Sequence, residues 1–185
     1  MRKSSEIYDF QKGDVIASLG AGGGVWEIAF ATFYEDLTFY LEDVSKDVLN
    51  QEDVDYAIQY YTRLTGKPII AKFIPVIGSE KDTNLPSDTF SKVLIINSFH
   101  EFNFPANMLA EVSRILKNDG KLFIEEDLAI VEGQIHEGCK RPLFSEAGLI
   151  NFLEQNGFSL SRSIGREIET GDTLWKVMVF EKSVF

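Results

Sequence analysis

The chain has one cysteine, Cys139, in 185 residues. A single cysteine excludes an internal disulfide, so a packed core must hold the fold, and a reducing, cytoplasmic setting is expected. Long apolar runs are missing as well. None approaches the roughly 18 residues that would span a bilayer. Residues 1–12 are largely polar and charged, so export is not expected. Basic charge is scarce: 18 Lys and Arg stand against 29 Asp and Glu, a net charge of -11. Lys140-Arg141 is only a pair, and no dense basic cluster exists. A domain that grips phosphate backbones usually carries a basic face, so no nucleic acid and no membrane is expected as a partner. A small neutral or cationic molecule suits this field better. Repeats, low-complexity tracts and Pro/Gly/Ser linkers are absent. With 44% hydrophobic residues, the chain reads as a single domain over residues 1–185.

What is present is an alternation of short apolar runs with longer amphipathic stretches, the pattern of an α/β sheet covered by helices. Residues 15–19 read as a buried strand, 25–33 as a helix, 37–41 as a second strand and 68–74 as a third. Val54, Ala57, Ile58, Tyr61 and Leu64 recur at helical spacing from about Gln51. Residues 93–96 and 122–124 make a fourth and fifth strand, apolar throughout as in parallel sheets covered on both faces. Between them, Pro105 opens a helix with the stripe Met108, Leu109, Val112, Ile115 and Leu116, expected to end at Gly120. Ser145 can cap a last helix carrying Leu149, Ile150 and Leu153, which Gly157 ends. Residues 158–164 and 174–180 then form two strands whose connector, with Gly171-Asp172, has no room for a helix, so they pair antiparallel.

The segment Leu19-Gly20-Ala21-Gly22-Gly23-Gly24-Val25 follows a strand and opens a helix. Glycines there let the backbone turn sharply and approach a ligand closely. A dinucleotide turn needs glycine at its first, third and sixth positions, and Val25 occupies the sixth. That weakens a nicotinamide-dependent reading. The spacing Gly20, Gly22, Gly24 is instead the form seen in S-adenosylmethionine enzymes. Asp43 lies at the end of the second strand, where a carboxylate can accept hydrogen bonds from both ribose hydroxyls of a nucleoside. Glu42 is its neighbour. Strand alternation sends the two side chains to opposite faces, so only one is expected to serve, and Asp43 is preferred.

With these residues in place, the sequence resembles the class I S-adenosylmethionine-dependent methyltransferases over nearly its whole length. Residues 14–24 resemble the family's first motif, and Leu41-Glu42-Asp43-Val44-Ser45 its ribose-binding strand end. Residues 85–102, 109–122 and 143–158 resemble its later segments in order. The resemblance implies a Rossmann-like, doubly wound, mostly parallel seven-stranded sheet with an antiparallel C-terminal hairpin. It implies S-adenosylmethionine as cofactor, held by Gly20, Ala21, Gly22, Gly24, Asp43, Val44, Ser79 and Asn97. Three positions depart from the family pattern. Ser18 stands where an acid is usual, Ser79 stands where an acid often meets the adenine, with Glu80 beside it, and Lys92 replaces a frequent Asp.

Methyl transfer from a sulfonium is a direct displacement, so alignment and exclusion of water can carry much of the rate. A base is needed only if the acceptor must lose a proton. His100, after the fourth strand, matches a position where the family often has histidine and is the expected catalytic base. Tyr8, His136 and Cys139 are expected to contact the acceptor, Tyr8 as part of a short N-terminal flap with Ser4, Ser5 and Phe10. His136 and Cys139 form His-x-x-Cys, but two ligands fall short of a zinc site. His100 could add a third, yet no metal is expected. Trp26, Tyr34, Tyr60 and Tyr61 are expected in the core. The reading is a methyltransferase acting on a small-molecule acceptor, as a monomer or homodimer. The alternative is a methyltransferase-like module that binds the cofactor or a partner without turnover, motivated by Ser18, Lys92 and the short N-terminal arm.

Overall fold

The computed structural model describes residues 5–165 and 173–183. Seven strands form one sheet: β1 (Val15–Leu19), β2 (Leu37–Asp43), β3 (Ala71–Ile77), β4 (Phe90–Ile96), β5 (Leu116–Ala129), β6 (Phe158–Gly165) and β7 (Thr173–Lys182). Their spatial order is β3-β2-β1-β4-β5-β7-β6. β3, β2, β1, β4 and β5 pair parallel, and β7 lies antiparallel between β5 and β6. The fold is the expected Rossmann-like one, with the strand order reversing between β1 and β4. In such sheets the ligand crevice lies outside the carboxyl ends of the strands at that reversal.

The helices are α1 (Val25–Phe30), α2 (Gln51–Thr65), α3 (Pro105–Ile115) and α4 (Glu146–Gln155). Asn50 caps α2 by accepting from the Asp53 N–H at 2.9 Å, and Gly66 ends it in the left-handed conformation. Pro105 opens α3, and the Ser145 hydroxyl accepts from the Gly148 N–H at the start of α4. Alternate side chains of the central strands feed two apolar layers. Ala17, Leu19, Val93 and Ile95 meet Leu109, Val112, Leu149 and Leu153 on one face. Ile16, Leu94, Phe39 and Leu41 meet Ile28, Phe30 and Val54 on the other.

Several boundaries differ from the sequence reading. α1 stops at Phe30 rather than Phe33, because the Thr32 and Phe33 amides bond three residues back and tighten the chain into a turn. β3 begins three residues late, where the Leu37–Ala71 pairing starts, and it runs through Pro75. An edge strand tolerates that proline because one side needs no ladder bond. α3 ends at Ile115, not at Gly120. Leu116 is already extended, and residues 116–121 bulge against Phe90 and Lys92. The Gly171-Asp172 connector lies outside the described residues. The N-terminal arm is not a flap: Ser5, Tyr8 and Phe10 are buried. Ser4 lies outside the described residues. Trp26 and Tyr60 are exposed rather than in the core. Among the described residues, no helix is long and apolar enough to cross a membrane.

Lys92 is paired. Its ammonium sits 2.5 Å from Asp14 Oδ2, both side chains about nine-tenths buried, while Ser91 Oγ donates to Oδ1 at 2.9 Å. This cluster lies at the amino ends of β1 and β4, away from the glycine turn. Removing one member of a buried pair strands the other charge. Lys92→Ala should therefore lower unfolding stability by about 3–5 kcal/mol in urea titration. An unchanged midpoint would show that Asp14 is solvated without its partner.

Candidate active site

At the carboxyl end of β1 the chain turns through Gly20 at φ 65°. A Cβ on Gly20 would lie 2.8 Å from both Cβ and Oγ of Ser98, whose hydroxyl donates to the Leu19 carbonyl at 3.1 Å. Only glycine allows the turns after β1 and β4 to close on each other this way. Gly22, at φ 54°, has open space where a Cβ would project, with only Val48 near at 3.8 Å. The Ala21 N–H donates to the Glu42 carbonyl, and Gly24 forms the N-cap of α1.

The Asp43 carboxylate reaches this turn. It accepts from the Gly22 N–H at 3.0 Å and from the Ser45 N–H at 2.9 Å. A cavity of about 170 Å³ lies here, lined by Gly20, Glu42, Asp43, Val44, Glu80 and Ser98 among others. Glu42 and Asp43 thus border the same cavity, against the expectation that alternation would separate them. Both stand at the carboxyl end of β2. Ser79 does not face the cavity. Its hydroxyl accepts from the Asp82 N–H at 3.1 Å and closes a local turn, so Glu80 lines the cavity instead. Asn97 follows β4 at φ 50°, and its Oδ1 is buried without a hydrogen-bond partner.

His100 sits in a short 3-10 turn, Phe99–Glu101, between cavity-lining Ser98 and Glu101. Its side chain is fully buried. Glu126 Oε1 lies 2.8 Å from Nδ1, and Glu126 Oε2 accepts from the His100 backbone N–H at 3.2 Å. Nε2 makes no hydrogen bond. Burial is the largest influence on this ring and favours its neutral form. The hydrogen bond and charge of Glu126, with Glu101 and Asp127, outweigh it, so the pKa is raised. The loop after β5 brings His136 beside it, with ring centroids 4.7 Å apart, and Cys139 Sγ lies 3.2 Å from His136 Nδ1. Tyr8 is not part of this group. It is buried among Phe10, Phe30 and Phe123, and its hydroxyl donates to Glu125.

Residues 18–124 match the profile of a family described as a methyltransferase domain. The chain belongs to this family. Its cofactor is S-adenosylmethionine. Solved structures agree on the fold. A SAM-dependent methyltransferase from Aquifex aeolicus superposes with a TM-score of 0.69 at 21% identity, covering 97% of this chain and 88% of its own. One from Methanosarcina mazei gives 0.72 at 16%, covering 97% and 98%. The Burkholderia thailandensis 1,6-didemethyltoxoflavin-N1-methyltransferase, with 1,6-didemethyltoxoflavin and S-adenosylhomocysteine bound, gives 0.72 at 17%, covering 99% and 78%. No curated protein matches the sequence.

Two acids of this methyltransferase escaped the sequence reading. Glu27 on α1 accepts from Ser18 Oγ at 2.6 Å, so a carboxylate from the helix stands against the position where the family usually carries an acid. Burial raises its pKa to about 7, held back by the Ser18 hydrogen bond. Glu126 is the partner of His100. Its signal was present in Glu125-Glu126-Asp127, an acidic run inside an apolar strand, where buried acids need partners.

Glu42 is buried as well. Burial, then the charge of Asp43, raises its pKa to about 8. An unfolded glutamate ionises near its ordinary value of 4.5. The folded state therefore holds the extra proton between these values, and stability falls as pH rises through that window. Glu42→Gln cannot ionise. In urea titrations at about pH 5 and about pH 9, its loss of stability should be smaller than the parent's. Equal losses would place the Glu42 carboxylate in water.

Proposed function

We propose that this methyltransferase transfers the methyl group of S-adenosylmethionine to a small-molecule acceptor in the cytoplasm, as a monomer or homodimer. The convergence of His100, His136 and Cys139 next to the cavity-lining residues Ser98 and Glu101 carries this reading. His100 Nε2, a buried ring nitrogen without a hydrogen-bond partner, is the proton acceptor in this reading. The acidic chain and the bound ring compound in the Burkholderia thailandensis structure support a small acceptor over a nucleic acid.

On the cofactor side, Gly20, Ala21, Gly22 and Gly24 supply a backbone cradle. Asp43 keeps lone pairs for ribose hydroxyls beyond the two amides it already accepts, since a carboxylate has about four acceptor sites. Val44 adds an exposed apolar wall, Asn97 offers an unpaired buried oxygen, and Glu80 rather than Ser79 lines the cavity. The bound cofactor supplies an activated methyl group. The chain's task is alignment and exclusion of water. The alternative of a binding module without turnover loses two of its motives: Lys92 is tied to Asp14 at the far end of β1, and Ser18 is bonded to Glu27.

Isothermal titration with S-adenosylmethionine and S-adenosylhomocysteine tests the cofactor site. Asp43→Ala should weaken binding by about 1–3 kcal/mol, the cost of leaving buried partners unpaired. Parent-like binding by a folded Asp43→Ala variant would move the site elsewhere.

A screen of metabolite extracts with labelled cofactor should yield the acceptor. With it, His100→Ala should lower turnover more than cofactor affinity, because the ring stands on the acceptor side. Unchanged turnover would reduce His100 to holding its loop against Glu126.

A further inference from the structure

We propose that His100, His136 and Cys139 form a binding site for a divalent metal ion of the zinc class. The sequence reading named His100 as a possible third ligand beside His-x-x-Cys and expected no metal. The fold delivers the third. One ligand atom from each residue lies within 4.8 Å of the other two. Tetrahedral zinc would hold such nitrogens and sulfur roughly 3.3–3.6 Å apart, so the side chains need to close by on the order of 1 Å. His136 Nδ1 and Cys139 Sγ are already 3.2 Å apart.

The decisive observation is independent of this spacing. His100 Nε2 is a fully buried ring nitrogen with no hydrogen-bond partner. Leaving such an atom unsatisfied is costly, and a ligand would satisfy it. The other ring nitrogen is held by Glu126 Oε1 at 2.8 Å. A carboxylate behind a ligating histidine fixes its tautomer and raises its basicity, the usual second layer of a zinc site. With Nδ1 protonated toward Glu126, the lone pair lies on Nε2. His136 Nδ1 accepts the Cys139 N–H at 3.3 Å, so this nitrogen carries the ring's lone pair, which would turn from that amide to the metal on binding.

The loop is built to hold this shape. The His136 N–H donates to the Arg141 carbonyl at 2.8 Å, the Lys140 N–H returns to the His136 carbonyl at 3.0 Å, and Lys140 takes φ 62°. Ile135 and Pro142 bridge its base. Glu101 Oε1, 3.7 Å from Nε2, adds negative charge on the exposed side. Two nitrogens and a thiolate suit zinc, and three protein ligands leave a fourth position for water or acceptor. Binding would displace the thiol proton to solvent and involve no redox change. A loaded ion would also occupy the nitrogen that otherwise takes a proton, clipping the loop after β5 to the end of β4.

The test is cobalt(II) titration of the metal-stripped full chain, followed by zinc(II) competition, with no acceptor or turnover required. One equivalent should bind, giving a thiolate-to-cobalt charge-transfer band and the strong visible bands of four-coordinate cobalt, both erased by zinc. Cys139→Ser should lose the charge-transfer band. His136→Ala should weaken cobalt at least about tenfold. Both residues lie on the loop, outside the core, so these variants should retain the parent's circular dichroism. No charge-transfer band in the parent, or a parent-like spectrum and affinity in Cys139→Ser, would overturn the proposal. Failure to bind S-adenosylmethionine would leave it standing.

Discussion

The site depends on how closely the turn after β1 approaches the turn after β4. Ser98 fills the space where a Gly20 side chain would be, and its hydroxyl bonds the last carbonyl of β1. That contact joins the two strands at the point where the sheet's order reverses. Everything at the crevice follows from it. Asp43 can reach the Gly22 amide because the turn is pulled in. Asn97 is held at positive φ beside Ser98, and two residues further on His100 enters its 3-10 turn facing Glu126. A larger residue at position 20 would disturb all three together.

The sheet, its order of elements and the glycine turn were legible because each rests on a local signal. Apolar runs of strand length, a proline at a helix start, and serine or asparagine at a cap act over a few residues. What was not legible depends on contacts far apart in the chain. Tyr8 looked like a flap residue, but its partner Glu125 is 117 positions away. Ser79 looked like the adenine contact, and its hydroxyl is instead captured by Asp82. The late start of β3 is set by pairing with β2, since residues 68–70 are as apolar as the strand itself. For the site, Gly20, Asp43 and Val44 line one cavity, as the glycine turn and the end of the second strand suggested. Of the residues expected on the acceptor side, His100, His136 and Cys139 come together and Tyr8 does not, and neither the loop after β5 nor the N-terminal arm has a periodicity that would have placed them.

The buried acids share a physical theme. Glu27, Glu42, Glu125 and Glu126 are all nearly inaccessible, near the ends of strands or on the helix facing them. An isolated buried carboxylate is costly, so each must be neutral or paired. The chain uses both solutions. Burial shifts Glu27 and Glu42 upward, toward their neutral forms. Glu125 takes hydrogen bonds from Tyr8 and Trp175, and Glu126 those of His100. The formal net charge of -11 counts Glu42 as ionised, whereas its burial favours the protonated form at neutral pH.

Glu126 and His100 show why such pairing is directional. Two oxygens of one carboxylate engage the ring nitrogen and the backbone N–H of the same residue, which fixes the turn and the ring together. A histidine that only held its loop would need neither a buried ring nor a nitrogen left over. This ring uses Nδ1 for structure and keeps Nε2 free on the side where His136 and Cys139 arrive. The free nitrogen is stable there only because Glu126 fixes which nitrogen carries the proton. Whether Nε2 meets a proton or a metal ion, its readiness is a property of β5, which carries the acid.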